Sequence, residues 1–179
     1  MMNNDDRHIV DTIRQNPDEG FRLLLERYMQ PLYWHVRRLV VNHDDANDVV
    51  QETLMRLFRS IDTFRGDSAL STWIYRIATN EALRFLGKKR ESLSIDDEEA
   101  SVGALLADDM TDYTDLEAVK LQKAILALPT KQQLAFNLRY YEEMDYDQIA
   151  EVTGSTAAAV KANYHFAKEK IINYLRSND

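Results

Sequence analysis

The sequence predicts an all-α protein: two small helical domains joined by a flexible acidic linker. Three observations carry this expectation. Apolar residues recur three or four apart through most of the chain, with almost no alternating β-branched pattern. Only five glycines and three prolines interrupt 179 residues, so long helices are seldom broken. The acidity is also concentrated: residues 1–90 hold 14 basic and 13 acidic side chains, residues 91–120 hold 1 and 10, and residues 121–179 hold 7 and 7. One middle stretch therefore accounts for the formal net charge of -8. The expected limits are 1–90 for the first domain, 91–112 for the linker and 113–179 for the second domain.

Residues 5–15 and 18–41 read as the first two helices, the second marked by Leu23, Leu24, Tyr28, Leu32 and Leu39 at helical spacing. Pro31 stands inside that run and removes one amide donor, so a kink or a split is expected there. A third helix starts at Asp44, Asp45 and Asp48, where carboxylates suit a helix N-terminus, and places Val49, Val50, Thr53, Leu54, Leu57, Phe58 and Ile61 inward. Phe64 to Ser68 reads as a loop. The fourth helix, 69–89, turns Leu70, Trp73, Ile74, Ile77, Ala78, Phe85 and Leu86 inward, and sets Arg76, Asn80, Arg84 and Lys88 at i, i+4 steps on another face. Asp96 to Glu99 and Asp108-Asp109, with few large apolar residues, mark the linker. Its carboxylates are open to two readings: solubility alone, or mimicry of nucleic acid that screens the basic faces. Helical patterning resumes near Tyr113, stops at Pro129, and restarts with Thr130 as the expected cap.

The chain then carries a helix-turn-helix pattern from Tyr146 to Lys161. Ile149, Ala150 and Val152 form a short apolar face, Gly154 supplies the left-handed backbone of a sharp turn, and Ser155 is placed to cap the next helix. Ala157, Ala158 and Ala159 are small enough for close packing on the first helix of the motif. Val160, Tyr164, Ala167 and Ile171 face inward, which leaves Lys161, Ala162, His165 and Lys168 outside. In such motifs the N-terminal half of the second helix lies in the major groove, so DNA is the expected partner. Domains this close to neutral grip phosphates weakly by themselves, and a larger partner is expected to supply affinity.

Zero cysteines exclude disulfides, thiolate catalysis and cysteine-ligated zinc. His8, His35, His43 and His165 show no metal-ligand spacing and read as surface or packing residues, so no metal and no cofactor is expected. No run of eighteen apolar residues occurs and Met1 to Arg7 is polar, so neither a membrane span nor a signal peptide is expected, and the cytoplasm is the expected location.

Three separated motifs resemble one family. Asp48-Val49-Val50-Gln51-Glu52-Thr53, Phe64-Arg65-Gly66-Asp67-Ser68-Ala69 and Thr72 to Asn80 look like the sigma-two domain of bacterial extracytoplasmic-function (ECF) sigma factors. Leu128 to Lys161 is similar to their sigma-four domain. The resemblance implies a transcription initiation subunit rather than an enzyme, one that binds core RNA polymerase and, with it, promoter DNA. On this resemblance Asp48, Gln51 and Glu52 dock on the clamp helices of the polymerase largest subunit. The loop of Phe64, Arg65, Gly66, Asp67 and Ser68, together with Asn80, holds a flipped base of the minus-ten element, which needs polar groups for the base edge and a pocket to replace lost stacking. Arg76, Arg84 and Lys88 are placed to follow the strand backbone, while Trp73 belongs to the core.

The minus-thirty-five element falls to Ser155, Thr156, Lys161, Ala162, Asn163, His165 and Lys168. Many relatives carry a Ser-Arg pair and a further Arg where this chain has Ala162, Asn163 and Phe166, a change expected to lower guanine reading and phosphate affinity. The resemblance further implies an anti-sigma factor, often membrane-anchored, as a partner. Two other functions stay open on the residues alone: a stand-alone DNA-binding regulator, and a helical adaptor in which the helix-turn-helix is only scaffolding.

Overall fold

The computed structural model describes residues 4–92 and 116–177, which fall into two compact units, each helical. The first unit holds α1 (Asn4–Gln15), α2 (Pro17–Val40), α3 (His43–Ser60), a 3-10 turn (Ile61–Thr63) and α4 (Leu70–Ser92). Asn16 sets the α1–α2 corner: its side chain accepts from the Glu19 amide at 3.3 Å, and Pro17 occupies the first helical position, where no amide partner is needed. The two helices then close as a hairpin. Gly20 of α2 lies so near Ile13 of α1 that a Cβ there would come within 2.4 Å of the isoleucine side chain. Farther along, the buried Asp6 carboxylate accepts from the Tyr28 hydroxyl at 2.7 Å and pairs with Arg27 Nε at 3.2 Å, which satisfies a charge that burial would otherwise penalise.

Pro31 neither splits α2 nor ends it, since the helix runs unbroken to Val40. The proline is exposed, on the side of the helix where water can take the place of a missing amide donor. Val41, at φ 69°, ends the helix, and the Asn42 side chain caps α3 by accepting from the Asp45 amide at 3.0 Å. The third helix thus begins one residue before the acidic cluster. Leu24, Leu32, Val36, Leu57, Leu70 and Ile74 are wholly buried where α2, α3 and α4 meet. Within the expected stripes, Phe58 is instead 48% exposed, and Ile77, Phe85 and Leu86 are only half-buried. Thr72, Tyr75, Thr79 and Glu81 are buried in their place, because α4 packs on α1, α2 and α3 and so hides a broader arc than a single stripe.

The second unit holds α5 (Leu116–Leu126), α6 (Thr130–Tyr140), α7 (Tyr146–Thr153) and α8 (Ala157–Ser177). Ala124, Ile125, Leu128, Phe136, Ala167 and Ile171 form its core, with α8 packed on α5, α6 and α7. Thr130 does not cap α6. Pro129 occupies the cap position without a side-chain bond, its carbonyl accepting from the Gln132 and Gln133 amides at 2.9 Å. Of the linker expected over 91–112, residues 91 and 92 end α4; the rest, with the acidic groups Asp96 to Glu99 and Asp108-Asp109, and the helix start near Tyr113 lie outside the described residues.

Candidate nucleic-acid and partner interface

On α3 the outward face carries Asp48, Gln51 and Glu52, all exposed, and continues into Met55 and Phe58. An 18-residue helix buried along one side presents i, i+3, i+4 and i+7 positions together on the other. Phe58 leans edge-on against Phe21 of α2 with ring centroids 5.1 Å apart, so it half-covers a joint between helices instead of filling the core.

Between α3 and α4, in the loop expected over Phe64 to Ser68, Gly66 has φ 83°, a conformation that favours glycine. Arg65, Gly66 and Asp67 are exposed, Ser68 is half-buried, and the half-buried Phe64 packs on Trp73 at 5.1 Å between centroids. Trp73 itself is 7% exposed and serves as the floor under the loop. On α4, Arg76, Asn80, Arg84 and Lys88 are all exposed. Arg84 and Lys88 also line a groove of about 290 Å³ with Asp48, Val49, Glu52, Arg56, Glu81 and Phe85. Two groups of residues that the sequence assigns to different partners thus meet on opposite walls of one groove.

At its floor lies a residue the sequence reading did not single out. The Glu81 side chain is 8% exposed and its Oε1 pairs with Arg56 Nε from α3 and with Arg84 Nη1 from α4, the latter at 2.9 Å. The i, i+3 spacing of Glu81 and Arg84 was legible in the sequence. The bond to Arg56, 25 residues earlier, was not, because it depends on how α3 and α4 are set side by side.

In the second unit, α7 opens on a reciprocal capping box: the Gln148 amide donates to Asp145 Oδ1 at 2.8 Å, and the Asp145 amide donates to Gln148 Oε1 at 3.0 Å. It closes at Gly154, φ 64°, as the turn requires. The cap of α8 is Thr156, whose hydroxyl accepts from the Ala159 amide at 3.2 Å. Ser155 does not serve; its hydroxyl donates to the Thr156 carbonyl at 3.3 Å. Of the three alanines that follow, Ala157 is half-buried while Ala158 and Ala159 are exposed. Only the first lies at the joint, because Val160 and Tyr164 set which side of α8 turns inward. Lys161, Ala162, His165 and Lys168 are exposed and Asn163 is half-buried. His165 Nε2 stands 3.4 Å from Glu169, and Lys168 Nζ lies 4.8 Å from the Tyr164 ring centroid.

Two helical units, the first with a charged groove and an exposed polar helix face, the second with a capped helix-turn-helix, match known protein families. Residues 24–92 match the family described as Sigma-70 region 2, and residues 118–171 match Sigma-70, region 4. The chain is 32% identical to an ECF RNA polymerase sigma-E factor of Haemophilus influenzae, across 96% of this chain and 95% of the relative. It is 33% identical to the protein of the same description in Escherichia coli K12, across 94% and 93%. Its fold is similar to that of CnrH, solved in complex with the cytosolic domain of CnrY (TM-score 0.74, 20% identity, 98% of this chain and 100% of that one). It is also similar to that of RpoE, solved with the anti-sigma factor NepR from Bartonella quintana (TM-score 0.69, 23% identity, 90% and 99%).

These matches place the chain among transcription initiation factors of the sigma-70 class. Within that class it belongs to the extracytoplasmic-function sigma factors. It directs promoter-specific initiation together with RNA polymerase, which displaces the stand-alone regulator and the adaptor as readings.

Proposed function

We propose that the exposed surfaces divide the work of initiation between them. The α3 face of Asp48, Gln51 and Glu52 docks on core polymerase. The loop Phe64 to Ser68, with Asn80, captures an unstacked minus-ten base, and Arg76, Arg84 and Lys88 track the strand. The exposed start of α8, with Ser155, Thr156, Lys161, Ala162, Asn163, His165 and Lys168, meets the minus-thirty-five duplex. One observation carries this division: Arg76 and Asn80 are exposed on a helix whose neighbouring residues Tyr75, Ala78, Thr79 and Glu81 are buried. Polar side chains are thereby held on a rigid scaffold beside the Gly66 loop, as base capture demands.

The domain limits 1–90, 91–112 and 113–179 follow the same division. Bond making and breaking is left to polymerase, so this chain acts by binding in the cytoplasm. Among the described residues no helix is long and apolar enough to cross a membrane. An anti-sigma factor is the proposed regulatory partner, supported by the two similar folds solved with CnrY and NepR.

Unstacking a base costs a few kcal/mol, which pocket contacts and polymerase must offset. Asn80→Ala is therefore expected to reduce promoter opening, read by permanganate footprinting of the melted strand, while core binding measured by co-elution stays intact. Equal loss of opening and core binding would count against the assignment.

A further inference from the structure

We propose that Glu81 is a positioning residue that holds Arg84 in the α3–α4 groove, withholding it from promoter DNA until a partner occupies the groove's acidic wall. This rests on the reading of α4 as the strand-tracking helix. Arg84 and Lys88 of that face line the groove, and Arg84 is already engaged: its Nη1 is 2.9 Å from Glu81 Oε1. The same oxygen pairs with Arg56 Nε of α3. Arg56 follows Glu52 and Asp48 at i+4 and i+8, so the wall assigned to polymerase and the arm that grips Glu81 lie on one helix face.

The Glu81 side chain is nearly covered, whereas those of Arg56 and Arg84 are 48% and 47% exposed. The carboxylate is therefore the fixed element and the guanidinium groups are the movable ones. A guanidinium bound to a carboxylate contributes little net attraction to a phosphate, and Asp48 and Glu52 across the groove reduce it further. A basic partner seated against Asp48 and Glu52 neutralises that wall and repels Arg56, which then has Glu81 as its counter-charge. Glu81 keeps Arg56, its hold on Arg84 weakens, and Arg84 swings to the strand. The geometry thus makes strand affinity conditional on occupancy of the α3 face, by direct electrostatics and without any change of fold.

The test is fluorescence anisotropy with a labelled single strand carrying the minus-ten element, using the full chain free and bound to core polymerase over a salt series. Glu81→Gln is expected to strengthen strand binding by the free chain about threefold to tenfold and to steepen the logarithmic salt slope by about 0.7, one more phosphate contact. It should change the polymerase-bound form less than twofold, because Arg84 is already released there, and the gain should vanish in Glu81→Gln/Arg84→Gln. Arg56→Gln, which leaves Arg84 as the counter-charge of Glu81, is expected to shift the free chain the opposite way, so a second variant answers should Glu81→Gln fail to fold. Unchanged or weaker strand binding by folded Glu81→Gln, or a gain that survives loss of Arg84, overturns the proposal. Should Asn80→Ala, Arg76→Gln and Arg84→Gln all leave the polymerase-bound form's strand affinity unaltered, the strand-tracking reading of α4 is what fails instead.

Discussion

Acidification from pH 7.5 to pH 5 is expected to cost the first helical unit about 2 kcal/mol through one side chain, His35. This imidazole is fully buried on α2: its Nε2 is 2.8 Å from Thr79 Oγ1 of α4, the Tyr75 ring meets it edge-on at 5.1 Å, and its Nδ1 has no hydrogen-bond partner. Burial, and secondarily the positive charge of Arg38, lowers its pKa from 6.5 to about 3. Between those two values the unfolded chain takes up a proton that the folded chain refuses. Stability from this group is therefore complete above pH 6.5, falls as the pH drops, and stops falling near pH 3. Since pH 5 lies about 1.5 pH units below the unfolded value and each unit is worth about 1.4 kcal/mol, the loss comes to about 2 kcal/mol.

The chain offers a convenient probe, since its only tryptophans, Trp34 and Trp73, both lie in the first unit. Urea unfolding followed by tryptophan fluorescence reports that unit even when the second unfolds separately. His35→Leu should lose about 1 kcal/mol at pH 7.5 with the Thr79 bond, yet its stability should decline less between pH 7.5 and pH 5, by about 2 kcal/mol. A variant as acid-sensitive as the parent protein would refute the reasoning.

Other expectations concern the joints. Gly20→Ala forces a methyl group to 2.4 Å from Ile13 and should destabilise the first unit by about 1–3 kcal/mol, seen as a lower urea midpoint in the same fluorescence assay. Thr156→Ala removes the α8 cap and should cost the second unit about 1 kcal/mol, whereas Ser155→Ala should cost far less; thermal unfolding by circular dichroism separates them, and a reversed order would show the cap to be misassigned. Lys161→Ala should weaken binding of the polymerase-bound protein to a minus-thirty-five duplex and reduce the salt slope by about 0.9, a change measurable by anisotropy over a salt series.

Much of the fold is legible in the residues because helices answer to local rules. The 3.6-residue recurrence marked α2 through Leu24, Tyr28 and Leu32, and it marked α8 through Val160, Ala167 and Ile171; all six are buried. Gly154 announced the turn for an equally local reason, since a left-handed residue strongly favours glycine. The family was readable from three short motifs, which mix exposed positions such as Asp48, Arg65 and Asn80 with buried ones such as Val49 and Trp73. Capping was read less well. Thr156 rather than Ser155 opens α8, and Pro129 rather than Thr130 precedes α6. Adjacent hydroxyls compete for the same amides, and a single residue of phase decides between them.

What only the tertiary structure decided are the pairings across helices. His35 and Thr79, and Arg56 and Glu81, are separated by 44 and 25 positions in the chain, and no periodicity links them. Whether a histidine is a neutral buried group or a solvated surface group depends on what lies above its ring, and the sequence holds no record of that. The residues alone determined that the stretches on either side of the acidic segment are close to neutral, because net charge is a property of the list of residues. Which charges are spent on each other depends on which helices lie side by side. Packing set Arg56 of α3 against Glu81 of α4, so that one carboxylate holds a cation from each helix.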